Sequence, residues 1–387
     1  MRTVGVVTVG RSDYGIYTPI LQRIGSYESL QARLFVGGMH LSHSFGYTAK
    51  WIEDEGRDVA ARVEMLAPDD SPRGISTSIG TGVTRFAEAF DASTPDILLV
   101  LGDRFEMLAA AIAAAPLNLP VAHIHGGETT EGAFDEGFRH CITKLSHLHF
   151  VSTHTHAARV VQLGEEPWRV TVSGAPSLDH LVDFEPLDDP ALEERLGASL
   201  TRPFLLVTYH PVTLDYASRD EDVDELLQAL DDASLPVVMT LPNADTGGRE
   251  LGERLRTYAA ARSGVTLADN LGSRAYFTLM SQASAMVGNS SSGIIEAASF
   301  ELPVVNIGSR QAGRERAANI MDVPCKRRRI AKAIAEACSE SFRRCLRGIR
   351  NPYGDGTASE QIVGVLESVE IDRRLLMKRF HMVSGGA

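Results

Sequence analysis

Between His123 and His140 the chain gathers three imidazoles (His123, His125, His140), four carboxylates (Glu128, Glu131, Asp135, Glu136) and the Arg139 guanidinium. They follow directly on the apolar run Leu119–Ile124. Ionisable groups behind a buried strand cost free energy unless they are paired or used, so the crowding marks a functional stretch. His123 and His125 are two apart and would share one face of a strand. That spacing fits a metal pair completed by Glu128 or Asp135, but no second His/Asp pair at ligand spacing follows a later strand, and no metal is expected. Acid–base chemistry is the better reading, because carboxylates in a shared cleft push one another's pKa values apart. For Glu131 and Glu136 a solvated acidic loop explains as much.

Other polar groups stand in the same relation to apolar runs. Val4–Val9 leads into Gly10-Arg11-Ser12-Asp13-Tyr14, an anion site or an ordinary Asp turn. Ile97–Leu101 leads into Gly102-Asp103-Arg104, where Asp103 is a base, an orienting group or a cap of the helix that follows. Phe204–Thr208 leads into Tyr209-His210-Pro211-Val212-Thr213, and His210 there suits proton transfer or a bond to phosphate. Leu241 leads into a polar tip at Pro242-Asn243-Ala244-Asp245. The strongest local signal is Gly288-Asn289-Ser290-Ser291-Ser292-Gly293 after Ala285–Val287. Its small residues admit a diphosphate, its serines donate, and the helix beyond favours the charge. Glu296, one turn on, is an acceptor for ribose hydroxyls or a complement to the helix dipole. Arg310 and Arg314 follow Val304–Ile307 and would serve the same phosphate.

The elements that position these groups alternate strand and helix throughout, which predicts parallel sheets covered on both faces. A Gly10–Gly15 loop is expected to precede the first helix, which ends near Ile24. A Pro- and acid-rich stretch near Ser173–Pro190 reads as a linker. The expected organisation is α/β, with two doubly wound Rossmann-like domains facing a cleft. These are 1–175 (the acid/base side), a hinge at 176–190, 191–368 (the diphosphate-holding side) and a tail at 369–387 packing back on the first domain. Ligands in such sheets lie beyond the carboxyl ends of the strands, where all these loops fall.

Bulk properties narrow the class. A chain of 387 residues with 44% hydrophobic and 23% charged content is an ordinary globular protein of about two domains. A net charge of −12 argues against a nucleic-acid partner. No apolar run reaches the roughly 18 residues of a membrane span. The beginning has no signal layout. Cys141, Cys325, Cys338 and Cys345 are scattered as reduced thiols would be, so a cytoplasmic protein without membrane contact is expected.

Taken together, Gly10–Tyr14, Gly102–Phe105, His123–Glu128, Asp135 to His140 with Ile142-Thr143-Lys144, His210–Thr213, Gly288–Gly293 with Glu296, and Gly308–Glu315 resemble the hydrolysing UDP-N-acetylglucosamine 2-epimerase family, the branch used in making sialic and legionaminic acids. The resemblance spans nearly the whole chain. It implies a GT-B-like fold, no cofactor, a UDP-sugar substrate and a homodimer or homotetramer. The implied chemistry is anti elimination of UDP to a 2-acetamidoglucal, then hydration to the free C2-inverted sugar. By that resemblance Asp103 and Asp135 match acid/base positions, and Arg104, Asn243 and Glu296 match ligand contacts. Arg11, His210, Ser290, Ser291, Ser292 and Arg310 would stabilise departing UDP. Some family members carry a glutamate where this chain has His125, so His125, Glu128 and Asp135 are all candidates to take the C2 proton. The same reaction on UDP- or GDP-N,N′-diacetylbacillosamine is the alternative substrate. A GT-B glycosyltransferase or a sugar-nucleotide sensor is the alternative class.

Overall fold

The computed structural model describes residues 1–69, 71–130, 134–210, 219–241, 248–268 and 271–383. It divides into two units, each built on one parallel sheet. In the first unit the strands are β1 (Arg2–Thr8), β2 (Leu30–Gly37), β3 (Val59–Val63), β4 (Ile97–Leu101), β5 (Val121–Ile124), β6 (Leu148–Val151) and β7 (Val170–Val172). Their order is β3-β2-β1-β4-β5-β6-β7. The second unit holds β8 (Leu205–Thr208), β9 (Val237–Thr240), β10 (Val265–Ala268), β11 (Ala285–Gly288), β12 (Val304–Ile307) and β13 (Ile320–Val323), in the order β10-β9-β8-β11-β12-β13. Every pairing is parallel. The order reverses between β1 and β4 and between β8 and β11. These are the switch points where such sheets bind ligands.

Continuous apolar strands explain the architecture. Val4 and Val6 of β1 point into one core with Leu34, Leu99 and Ile124, while Val7 joins Phe35, Leu98 and Val100 on the other face. A strand buried on both faces needs helices on both sides, as a parallel crossover supplies.

Three features differ from the sequence expectation. The first helix begins at Arg11, with no loop through Gly15. Asp13, in its first turn, accepts from the Val9 amide and the Thr8 hydroxyl, both at 2.8 Å, so the chain turns into helix at once. The edge strands β3 and β13 were not foreseen, because they are short and only partly buried. The unit boundaries fall at Val182/Asp183 and Pro352/Tyr353. Residues 353–368 therefore belong with the first sheet and not with the second: Ile362, Val363 and Leu366 of the helix Ala358–Ser368 sit in the core of β1 and β2.

The segment after that helix is fastened to the first unit by buried cations. Arg169, 1% exposed, donates to the carbonyls of His147 (3.1 Å), Leu375 (2.8 Å) and Arg374 (2.9 Å) and pairs with Glu166 at 2.9 Å. Trp168 lies between the guanidinium groups of Arg169 and Arg374. Lys378 donates to the Lys144 and Ser146 carbonyls at the end of the helix Asp135–Leu145 and to the buried Glu165. Arg169→Met should lower the unfolding free energy by about 3 kcal/mol, because it strands these buried carbonyls without their donor and removes the cation from Glu166. Urea denaturation checks this, and a loss below about 1 kcal/mol, the scale of an exposed pair, would contradict it.

Candidate active site

In the first unit the groups after β4 and β5 and at the start of the helix Asp135–Leu145 come together around Arg139. Its side chain is 2% exposed and pairs with Asp103 and with Glu136. It also donates to the Glu128 carbonyl at 2.9 Å. Burial opposes its charge, but Asp103, Glu128 and Glu136 outweigh burial and raise its pKa. Asp103 is therefore no helix cap: the helix Phe105–Ala114 has Arg104 in its N-cap position. Arg104 itself pairs at 3.0 Å with Glu106, whose side chain is fully buried.

Asp135, half-buried on the next turn, is pushed up to about 6 by burial and then by the charge of Asp103. Asp103 is held by the guanidinium, while Asp135 is partly desolvated and faces the charge of Asp103.

His123 and His125 part company. The φ angle of His125 is 67° and that of Gly127 is 75°, so the strand ends in a left-handed turn. A side chain at Gly127 would meet the His156 carbonyl at 2.3 Å. His123, wholly buried, donates through Nε2 to the Gly102 carbonyl at 2.7 Å, and Nδ1 faces the Thr143 hydroxyl at 3.2 Å. Burial pushes its pKa to about 3. It braces the turn that carries Asp103. His125 instead meets Glu128, Nδ1 to Oε1 at 2.5 Å, with the Ser152 hydroxyl 3.1 Å from both atoms. A carboxylate acceptor on Nδ1 assigns that proton and leaves Nε2 with the lone pair, the arrangement of an oriented base. The shared strand face expected of the two histidines is absent because the positive φ turns His125 away.

Arg11 opens the first helix, is exposed, and lies with its guanidinium carbon 6.0 Å from the Trp51 ring centre. Beside it Thr8, Asp13, His40 and Thr48 form a buried chain: Thr8 donates to Asp13, His40 Nε2 lies 2.9 Å from the Thr8 hydroxyl, and His40 Nδ1 lies 2.6 Å from that of Thr48. Burial pushes Asp13 up to about 6 and His40 down to about 4.

In the second unit the sequence candidates sit after β8, β11 and β12. His210 is 6% exposed, and burial followed by Arg310 pushes its pKa to about 3, so it is a neutral imidazole. Ser290 is the N-cap of Ser291–Ile295 and accepts from the Ser292 amide at 3.3 Å. Ser291 and Ser292 are half-buried beside it, and Glu296 is buried. Arg310 donates to the Asn289 carbonyl at 3.1 Å. The Tyr276 hydroxyl, which sequence reasoning passed over, is 3.2 Å from that of Thr208. Asn243, Glu131 and residues 211–213 lie outside the described residues. Arg139 was seen only as one charge in a crowd; its partner Asp103 is 36 positions away, which no local pattern reveals.

The carboxyl carbon of Asp135 should titrate near pH 6 by NMR, and Asp103→Asn should lower that midpoint while burial keeps it above the ordinary 3.8. A midpoint at 3.8 in the parent protein would contradict the raised carboxyl of Asp135.

Comparison with known proteins adds an independent line. Residues 22–367 match the family model described as UDP-N-acetylglucosamine 2-epimerase. The chain is 35% identical over 378 residues, 98% of its length and 99% of the relative's, to a hydrolysing UDP-N,N′-diacetylbacillosamine 2-epimerase of Legionella pneumophila. It is 38% identical over 325 residues, 83% and 84% of the two chains, to a hydrolysing GDP/UDP-N,N′-diacetylbacillosamine 2-epimerase of Campylobacter jejuni. In fold it is similar to the UDP-GlcNAc 2-epimerase of Neisseria meningitidis solved with UDP-GlcNAc, at a TM-score of 0.79, 17% identity and coverage of 95% and 99%. A family match over most of the chain, on two doubly wound sheets with acid–base groups at the strand ends of the first, leaves one conclusion: the chain belongs to the UDP-N-acetylglucosamine 2-epimerase family.

Proposed function

We propose that the protein is a hydrolysing 2-epimerase that converts a UDP-activated 2-acetamido sugar and water into UDP and the free C2-inverted sugar. The observation that carries this reading is the carboxyl pair, Asp103 held by Arg139 and Asp135 raised to about 6, next to the His125–Glu128 couple. A glycosyltransferase needs no such set, and the family match removes that alternative.

The chemistry asks for two proton-handling events. The C2 hydrogen is barely acidic, so the C1–oxygen bond must lengthen first and build positive charge beside it. The C2 proton then passes to a base, the C1–oxygen electrons leave with UDP, and a 2-acetamidoglucal remains. Water adds back with hydroxide at C1 and a proton at C2 on the opposite face. His125 Nε2, with Glu128 holding Nδ1–H, is suited to accept the proton. Asp103 supplies the carboxylate that answers the charge at C1, and Asp135 is poised to give or take a proton. In the second unit Ser290, Ser291, Ser292, Arg310 and the neutral His210 suit the departing diphosphate, and in the first Arg11 and Arg104 are cations suited to a ligand contact. Glu296 suits the ribose and Asn243 a substrate contact.

UDP-N-acetylglucosamine giving N-acetylmannosamine is the first reading of the substrate. The names of the two bacterial relatives favour a second, the diacetylbacillosamine nucleotide giving a 2,4-diacetamido-trideoxymannose. We place the enzyme in the cytoplasm as a homodimer or homotetramer, in keeping with four free cysteines and with the resemblance.

Incubation with UDP-N-acetylglucosamine and no acceptor should release UDP and N-acetylmannosamine carrying solvent deuterium at C2. If that sugar is inert, the diacetylbacillosamine nucleotide should turn over in its place. Failure of both, or product without deuterium, would overturn the reading. Asp103→Asn and Glu128→Gln should each abolish turnover while UDP-sugar binding by calorimetry survives, and normal turnover in either would remove that residue from the mechanism.

A further inference from the structure

Asn289 is completely buried, yet its side chain is spent on the backbone of a residue 79 positions away. Its Oδ1 accepts from the His210 amide at 2.7 Å, and its Nδ2 donates to the His210 carbonyl at 2.8 Å. β8 and β11 pair in register up to Thr208 and Gly288. There Gly288, with φ of 140°, approaches so closely that a Cβ would lie 2.0 Å from the Thr208 carbonyl. The Asn289 amide continues to the Thr208 carbonyl at 3.2 Å. Beyond that step the backbones separate, and the carboxamide of Asn289 stands in for the missing ladder rung by offering one acceptor and one donor as a peptide would.

The same residue anchors the loop after β12. Its carbonyl accepts from Arg310 Nη1 at 3.1 Å and from Gln311 Nε2 at 2.9 Å, and Gln311 is 2% exposed. Asn289 therefore links three strand-end loops, those bearing His210, Ser290 and Arg310. His210 has its Nδ1 buried with no hydrogen-bond partner. Among the described residues no hydrogen bond holds that nitrogen, so the orientation of the ring rests on its backbone.

We propose that Asn289 is a positioning residue for the reaction: its side chain clamps the His210 backbone so that the imidazole stays buried, neutral and aimed. A loosened clamp hydrates the ring and returns it toward ordinary histidine behaviour. The proposal rests on the function assigned to His210 above, but its structural half can be read without turnover.

The test uses Asn289→Ala, which removes both bonds, and Asn289→Asp, which keeps the size and the acceptor but loses the donor. In the full-length protein, ring NMR should show His210 unprotonated to about pH 3 in the parent and titrating markedly closer to the ordinary 6.5 in both variants. Turnover should fall by about 100-fold, the scale of a small misplacement of a reacting group, with KM changed far less. Gln311→Ala, which leaves the clamp intact, should leave the His210 titration where it is. If Asn289→Ala does not fold, Asn289→Asp decides alone. An unmoved His210 titration in the folded variants overturns the proposal. A moved titration with no loss of turnover shows that Asn289 holds His210 but that His210 does not serve the reaction, which overturns the positioning role. If even the parent turns over neither sugar, the function reading falls, and the titration still shows whether the clamp exists.

Discussion

A guanidinium buried to 2% exposure cannot stand uncompensated, and Arg139 imposes that condition on everything around it. It draws in Asp103 from the turn after β4, Glu136 from its own helix and the Glu128 carbonyl from the loop after β5. Removing a buried charge from its partners costs several kcal/mol, so the three chain segments that the β4–β5 pairing and His123 already bring near are held in one place. The held carboxylate then shapes its neighbour. Asp103 keeps a negative charge beside half-buried Asp135, and the second carboxyl retains its proton to about pH 6. One cation fixes the geometry of the pair, and burial with the charge of Asp103 sets the proton affinity of Asp135.

The histidines divide along a similar line. His40, His123 and His210 are all pushed well below the ordinary value by burial. They remain neutral across the working pH range; His40 and His123 serve as hydrogen-bonding groups, while the buried Nδ1 of His210 has no partner among the described residues. His125 alone among the site histidines has a carboxylate on Nδ1. A ring that must accept a proton needs a nearby charge to stabilise the imidazolium, and Glu128 provides it. The partner distinguishes these rings more than the residue type does.

Most of the fold was legible because a parallel sheet writes itself as apolar runs of four to eight residues separated by helices. β1, β4, β5, β8 and β11 are of this kind, and the polar residues just after each could be found by looking there. β3 and β13 were missed because edge strands bury one face weakly and lose the apolar signature. Residues 353–368 were placed with the wrong sheet because an amphipathic helix does not say which core it enters. At the site, residue types were readable and pairings were not. His123 and His125 looked like one pair until the positive φ at His125 sent them to different partners, and only the following Gly126-Gly127 hinted at such a turn. Asn289 sat in plain view among serines, but its partner His210 belongs to another strand end.

The two units show how one topology supports opposite chemistries. Each reverses strand order once, between β1 and β4 or between β8 and β11, and each sets its polar loops beyond that point. In the first unit the loops carry carboxylates balanced by Arg104 and Arg139, so proton affinity is tuned by charge. In the second they carry hydroxyls, amides and Arg310 around an imidazole kept neutral, so an anion meets donors and no competing carboxylate except Glu296 among the groups assigned there. Backbone geometry at a switch point supplies converging strand ends and little else. What the ends hold decides the chemistry, and buried residues such as Arg139 and Asn289 tie those ends together.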